Sequence, residues 1–122
     1  MHRGEIFLVN LDPALSGEAN KQRPSVIVSN DGANGSAERS GYGVITVVPI
    51  TSNINRIYPF QVLLSAADTG LDFDSKAQAE QVRSISVRRL GTPIGEVPQK
   101  IMERIDEALR LHLALELLLQ NK

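Results

Sequence analysis

The chain has 122 residues, 42% of them hydrophobic: enough for one compact domain with a modest core, and too apolar for a disordered chain. It contains no cysteine, so disulfides and thiolate zinc sites are excluded. Thirteen basic against 14 acidic residues give a formal charge of -1, so any field that attracts nucleic acid has to be local. Lys21 lies with Arg23, and Arg83 with Arg88 and Arg89, while Glu103, Asp106, Glu107 and Glu116 collect towards the C-terminus.

In chain order, Ile6 to Val9 is a short apolar run that reads as a first strand, stopped by Asp12-Pro13. Residues 13–23 are polar and read as a long loop, which places Arg23 on the joint before a buried, β-branched strand, Val26-Ile27-Val28. Asn30-Asp-Gly-Ala-Asn-Gly-Ser36 is turn chemistry, expected as a surface loop with at most one helical turn. Residues 42–50, with the run VITVVPI, read as a central strand in which Pro49 demands an edge or a bulge. A polar turn at residues 51–55 leads to a fourth strand, Pro59 to Leu64, and a loop at residues 68–75. Ala77 to Val82 is a short strand, Ser84 to Leu90 part strand or a helical turn, and Thr92 to Val97 closes the β part.

From Pro98 the period changes. Residues 101, 105, 108, 109, 112, 115 and 119 define one face of a helix running to Leu119, with His112 on the side that meets the core. Leu111, Leu113, Leu117 and Leu118 widen that face into core or dimer surface, and residues 103, 104, 106, 107 and 110 keep the other side wet. Short strands with Gly and Pro turns followed by one helix argue a mainly β, α+β fold: a small, partly open barrel with a helix on its side, residues 1–122 forming a single domain. No apolar run reaches bilayer-spanning length, and the N-terminal MHRGEIFLVNLDP is too interrupted by charge for a signal peptide, so a cytoplasmic protein without membrane contact is expected.

No phosphate-cradling Gly-rich loop, GxSxG or HExxH motif is present, and no His/carboxylate cluster has metal-ligand spacing, so neither metal nor cofactor is expected. What remains is polar residues at strand ends: Arg23, Thr51-Ser52, and Glu80-Gln81-Val82-Arg83-Ser84. Each has a plain structural reading. Arg23 can be a solvated charge paired with Glu18, Thr51 and Ser52 can cap a turn, Gln81 and Ser84 can complete ladder or turn hydrogen bonds, and Arg83 can cover the barrel.

A more specific signal comes from five blocks in order. These are Arg3-Gly4-Glu5-Ile6 with Leu11-Asp12-Pro13; Gln22-Arg23-Pro24-Ser25-Val26-Ile27-Val28-Ser29; Val48-Pro49-Ile50-Thr51-Ser52; Tyr58-Pro59-Phe60-Gln61-Val62-Leu63-Leu64; and Glu80-Gln81-Val82-Arg83-Ser84-Ile85. Together, over nearly the whole chain, they resemble the MazF/PemK family of toxin endoribonucleases. Many members carry a tryptophan followed by Val-Asp in the first strand, where Phe7 and Asn10 stand here. The resemblance implies an SH3-like barrel (CcdB/PemK-like) with a long C-terminal helix, a bacterial cytoplasmic homodimer, and an antitoxin of the MazE kind whose disordered C-terminal tail covers the RNA groove. It also implies metal-independent cleavage of single-stranded RNA at short sequences, leaving 2′,3′-cyclic phosphate and 5′-hydroxyl ends.

By the same resemblance, Arg23 and Thr51 form the catalytic pair, with Glu18 in the preceding loop as a third candidate. Lys21, Gln22, Ser52, Asn53, Gln81, Arg83 and Ser84 are the RNA-binding candidates, and loops 13–22 and 52–57 set the cut site. The chemistry suits the residues. When a 2′-hydroxyl attacks the neighbouring phosphorus, charge grows on the phosphate oxygens, and a planar guanidinium meets it with directed hydrogen bonds. Thr51 offers a hydroxyl donor, assisted by Ser52. Arginine is a poor general base, and Glu18 is one candidate for that role; the residues alone do not assign it. Aromatics are only 4% of the chain, so base stacking is not the main expected mode of RNA capture. A rival reading of the same fold is a non-catalytic toxin that binds and poisons DNA gyrase, which has no need of Arg23 with Thr51.

Overall fold

A computed structural model describes residues 1–11 and 22–115. Seven strands are present: β1 (Glu5–Asn10), β2 (Gln22–Ile27), β3 (Val44–Thr51), β4 (Gln61–Leu64), β5 (Ser75–Gln78), β6 (Arg83–Ser86) and β7 (Leu90–Glu96). Three helices join them: α1 (Asp31–Ser40), α2 (Ala66–Thr69) and α3 (Gln99–Leu113). The sheet runs β4-β5-β3-β2-β1-β7, with β6 also on β3, and every pairing is antiparallel. With α3 against it, this is the mainly β barrel with a C-terminal helix expected from the sequence.

Alternation along the strands feeds two cores, because successive side chains point to opposite faces. Ile6, Val26, Val48 and Ile50 turn towards α3, where Met102, Ile105 and Ala108 meet them. Phe7, Val9, Ile27, Ile45 and Val47 turn the other way, towards Ala37 of α1. Each such apolar side chain contributes about 1.5–3 kcal/mol by leaving water.

β5 and β6 act as one interrupted strand along one edge of β3. Ile50 pairs with Ala77 and Val47 with Arg83, so three steps on β3 span six on its neighbour. The surplus is taken up by a single 3-10 turn, Ala79–Gln81, against which α3 packs. Pro49 falls at this break, which is the irregularity its missing N–H called for.

Several expectations need correction. Arg23 is a strand residue, not a loop residue: it sits in β2 opposite Val9. The segment 30–36 opens a ten-residue helix rather than a turn. Asn30 caps it by accepting from the Ala33 N–H at 2.8 Å, and Gly41 ends it with a left-handed φ of 73°. The fully buried Asn34 anchors it, its amide donating to the Ser29 carbonyl at 2.9 Å and its Oδ1 accepting from the Ser29 hydroxyl at 2.6 Å. Residues 68–75 are not wholly loop, because α2 lies at their start. The strand expected at Ala77 to Val82 is β5 followed by the 3-10 turn, and Tyr58 to Phe60 form a turn ahead of β4. α3 stops at Leu113, where Ala114 turns left-handed (φ 58°), and His112 faces solvent rather than the core. The expected stop at Asp12-Pro13, the loop 13–21 and residues 116–119 of the expected helix lie outside the described residues.

Arg3 draws these parts together. Its backbone N–H donates to Asp31 Oδ1 at 2.7 Å, its Nε donates to the Val28 carbonyl at 2.8 Å, and its guanidinium pairs with Asp106 of α3. The bond from the Arg3 N–H is the main cause that holds the Asp31 carboxyl below the usual carboxylate range, with help from the Asn34 amide and the charges of His2 and Arg3.

Candidate active site

β2 and β3 bring the site together. Their opposite residues run Ile27 with Val47, Val26 with Val48 and Ser25 with Pro49. Beyond that ladder Arg23 follows at the start of β2, paired with Val9 of β1, and Thr51 ends β3, paired with Lys76 of β5. Two residues far apart in sequence are thereby brought to neighbouring strand ends at one end of the sheet.

Both line a cleft of about 600 Å³. Its floor is the continuation of the α3-facing side of the sheet: Leu8 from β1, Pro24 from β2, Ile50 from β3 and Ile94 from β7. Arg23, Thr51 and Ser52 contribute its polar lining, and Leu71, Asp72 and Phe73, from the chain that follows α2, contribute a further stretch of wall. Arg23 is exposed, and its guanidinium has no hydrogen-bond or ion-pair partner among the described residues. The Thr51 Oγ1 accepts from the Asn53 N–H at 3.2 Å, which leaves the hydroxyl proton to donate elsewhere. Asn53 in turn accepts from the Asn55 N–H at 3.3 Å, so the chain beyond Thr51 is held by successive small turns. Across the ladder from Thr51, Lys76 is only 7% exposed and its Nζ donates to the Arg56 carbonyl at 2.7 Å.

The wall depends on close backbone packing. Gly70 ends α2 with a φ of 85°, which an L side chain rarely adopts. Gly95 of β7 lies so close that a Cβ there would stand 2.3 Å from the Thr69 carbonyl oxygen. Nothing larger than glycine lets α2 and its following loop approach β7 this way.

The other expected site residues divide. Ser52 lies in the cleft, whereas Gln22 and Asn53 flank it as exposed neighbours of Arg23 and Thr51. Gln81, Arg83 and Ser84 do not line it. Gln81 ends the 3-10 turn, and Ser84 is opposite Thr46. Arg83 donates to the Leu11 carbonyl at 3.1 Å, as Arg89 does to the Asn10 carbonyl, so both guanidinium groups fix the end of β1. Glu18 and Lys21 lie outside the described residues. Sequence reasoning missed the wall at Leu71, Asp72 and Phe73; the only signal was the turn-forming Thr69-Gly70 ahead of an apolar-acidic alternation. Among the described residues, no group of three or more His, Asp or Glu is placed to hold a metal ion.

The arginine and the threonine hydroxyl thus line one partly apolar cleft of a small, mainly β barrel. The sequence profile of the PemK-like, MazF-like toxins of type II toxin–antitoxin systems matches residues 2–113, and the chain belongs to that family. It is 64% identical over 115 residues to endoribonuclease MazF9 of Mycobacterium tuberculosis, covering 94% of this chain and 98% of that one. Against endoribonuclease EndoA of Bacillus subtilis it is 31% identical over 114 residues, 93% of this chain and 94% of the other. A mycobacterial endoribonuclease solved in complex with its cognate antitoxin superposes with a TM-score of 0.74 at 25% identity, over 96% of this chain and 98% of that one. MazF from Deinococcus radiodurans gives 0.73 at 25% identity, over 93% and 96%.

Proposed function

We propose that this chain is the toxin of a type II toxin–antitoxin pair: an endoribonuclease that cuts single-stranded RNA without a metal ion. The 2′-hydroxyl oxygen attacks the adjacent phosphorus, the bond to the 5′-oxygen breaks, and the products carry a 2′,3′-cyclic phosphate and a 5′-hydroxyl. The observation that carries this is the Arg23–Thr51 pair facing one cleft, its guanidinium unengaged among the described residues. Arg23 stabilises the charge that develops on the phosphate oxygens and is placed to protonate the leaving oxygen. Thr51 donates its hydroxyl proton to a phosphate oxygen, with Ser52 beside it. Glu18 is the candidate to accept the proton of the 2′-hydroxyl. Gln22 and Asn53 contact the flanking nucleotides, and any contact that Gln81, Arg83 and Ser84 make with RNA falls outside this cleft.

The working form is a cytoplasmic homodimer of one toxin domain per chain, silenced by a cognate antitoxin. A mycobacterial endoribonuclease and a Deinococcus radiodurans MazF have each been solved in complex with an antitoxin. The test is incubation of a long single-stranded RNA with purified protein in EDTA, beside Arg23→Ala. Cuts at a short recurring motif, lost in the variant, support the reading. No cutting by a folded wild type refutes it and directs attention to a gyrase supercoiling assay.

A further inference from the structure

Aromatic side chains are scarce in this chain, and the fold has already engaged all but one. Phe7 is buried against the α1 core. Tyr42 lies 5.0 Å beneath the Arg88 guanidinium. Tyr58 stacks on Phe60 with ring centroids 5.4 Å apart, and Arg56 sits 4.7 Å over the Tyr58 ring. Phe73 is the exception. It is 70% exposed, has no ring or cation partner among the described residues, and lines the same cleft as Arg23 and Thr51. A phenyl ring held in water gives up the burial that every other large core residue enjoys.

We propose that Phe73 is a base-stacking residue, whose ring receives one nucleobase next to the phosphate engaged by Arg23, with the apolar floor of Leu8, Pro24 and Ile94 beneath it. This rests on the endoribonuclease reading. The cleft's roughly 600 Å³ falls within the range of about 300–1,000 Å³ typical of small-molecule sites, which suits a nucleoside. The charge layout fixes the orientation. Arg23 attracts the phosphate within the cleft, while Asp72 in the lining and Asp74 beside it in the chain flank Phe73 and repel the backbone there. The base, not the phosphate, therefore meets the Phe73 wall. Asp72 adds an edge that only accepts hydrogen bonds, favouring a base that presents N–H donors there. The same two carboxylates break any apolar patch around the ring, which argues for a base over the surface of a second copy of the chain.

The test begins from the motif mapped on long RNA. A short oligonucleotide carrying that motif, with a 2′-O-methyl group at the scissile ribose to block cleavage, is the binding probe. Phe73→Ala is expected to weaken binding by roughly 5- to 150-fold, the loss of one base–aromatic stack. Phe73→Trp is expected to keep near-wild-type affinity, with Phe73→Leu between the two. Replacing each nucleotide in turn by an abasic one should reveal a single position whose loss in the wild type matches the Phe73→Ala loss and disappears in that variant. Wild-type affinity in Phe73→Ala overturns the proposal. So does a loss that adds to the abasic loss at every position, or an unchanged affinity with an altered sedimentation mass, which assigns the ring to contact between copies. A folded wild type that cuts no RNA removes the endoribonuclease reading and this one with it; an active enzyme indifferent to Phe73 removes this one alone.

Discussion

Gly95→Ala isolates the packing that holds the cleft wall in place. Gly95 does not have the left-handed backbone that favours glycine, so the substitution introduces a steric problem and nothing else. The new Cβ would lie 2.3 Å from the Thr69 carbonyl oxygen, where 3.0 Å is the least that real Cβ atoms tolerate. That carbonyl cannot simply swing aside. Thr69 donates its hydroxyl to the Ser65 carbonyl at 2.7 Å, Ser65 caps α2 through the Asp68 N–H at 3.1 Å, and Asp74 Oδ1 holds the Ala66 N–H at 2.8 Å. Either β7 or the whole α2 turn must shift, and overpacking of this kind costs about 1–3 kcal/mol. Urea unfolding followed by circular dichroism should show a lower midpoint with an unchanged slope. If α2 moves, Leu71, Asp72 and Phe73 move with it, and RNA cleavage should weaken at temperatures where the variant is still folded. A Gly95→Ala protein as stable and as active as the wild type would refute the claim that this contact sets the wall.

The remaining predictions concern the cleft and the N-terminal knot. Arg23→Ala should lower the cleavage rate by roughly 10²–10³ while changing stability by less than about 0.5 kcal/mol, since the side chain is exposed and unpartnered among the described residues. Arg23→Lys should recover little, because an ammonium lacks the planar fork; single-turnover kinetics with equilibrium unfolding reads both. Thr51→Ser should retain most of the rate and Thr51→Ala should not, and equal losses would show that the threonine packs rather than donates. Asp31→Asn should destabilise the fold at neutral pH. Because the folded carboxyl is held below its ordinary pKa, its contribution is complete above the unfolded value of about 3.9 and fades as pH falls through the folded one. Unfolding curves of wild type and Asp31→Asn should therefore converge in acid, and a gap that widens there would contradict the hydrogen bond from the Arg3 N–H as its origin.

The parts legible in the sequence were those with one dominant local cause. The β-branched runs within 26–28 and 42–50 read as strands, and Pro49 announced the break opposite the 3-10 turn. Arg23 and Thr51 could be named from their motif blocks, but not the cleft they share, which comes from pairing between strands and leaves no local trace. The helix α1 was missed because Asn, Gly and Ser favour turns. It forms because Asn30 caps it, Gly41 terminates it and Asn34 is locked to Ser29, and only the assembled sheet supplies that lock. His112 was misplaced for the converse reason. The 3.6-residue period continues past the point where α3 runs out of barrel to cover, so periodicity alone assigned the last turn a core it does not reach. The wall at 71–73 was invisible because its position is set by Gly95, more than twenty residues away.

The Lys76 contact has a consequence for how such a protein can diversify. Lys76 sits across the ladder from Thr51 and grips the carbonyl of Arg56, so both ends of the segment 52–56 are moored to the same point of the scaffold. Between those moorings the chain is exposed except for the half-covered Ile54. Exposed side chains inside that closed span can be exchanged while its backbone keeps the Asn53 N–H on the threonine hydroxyl at its root. The segment is therefore a short loop pinned at both ends, whose exposed side chains are the part of it open to change.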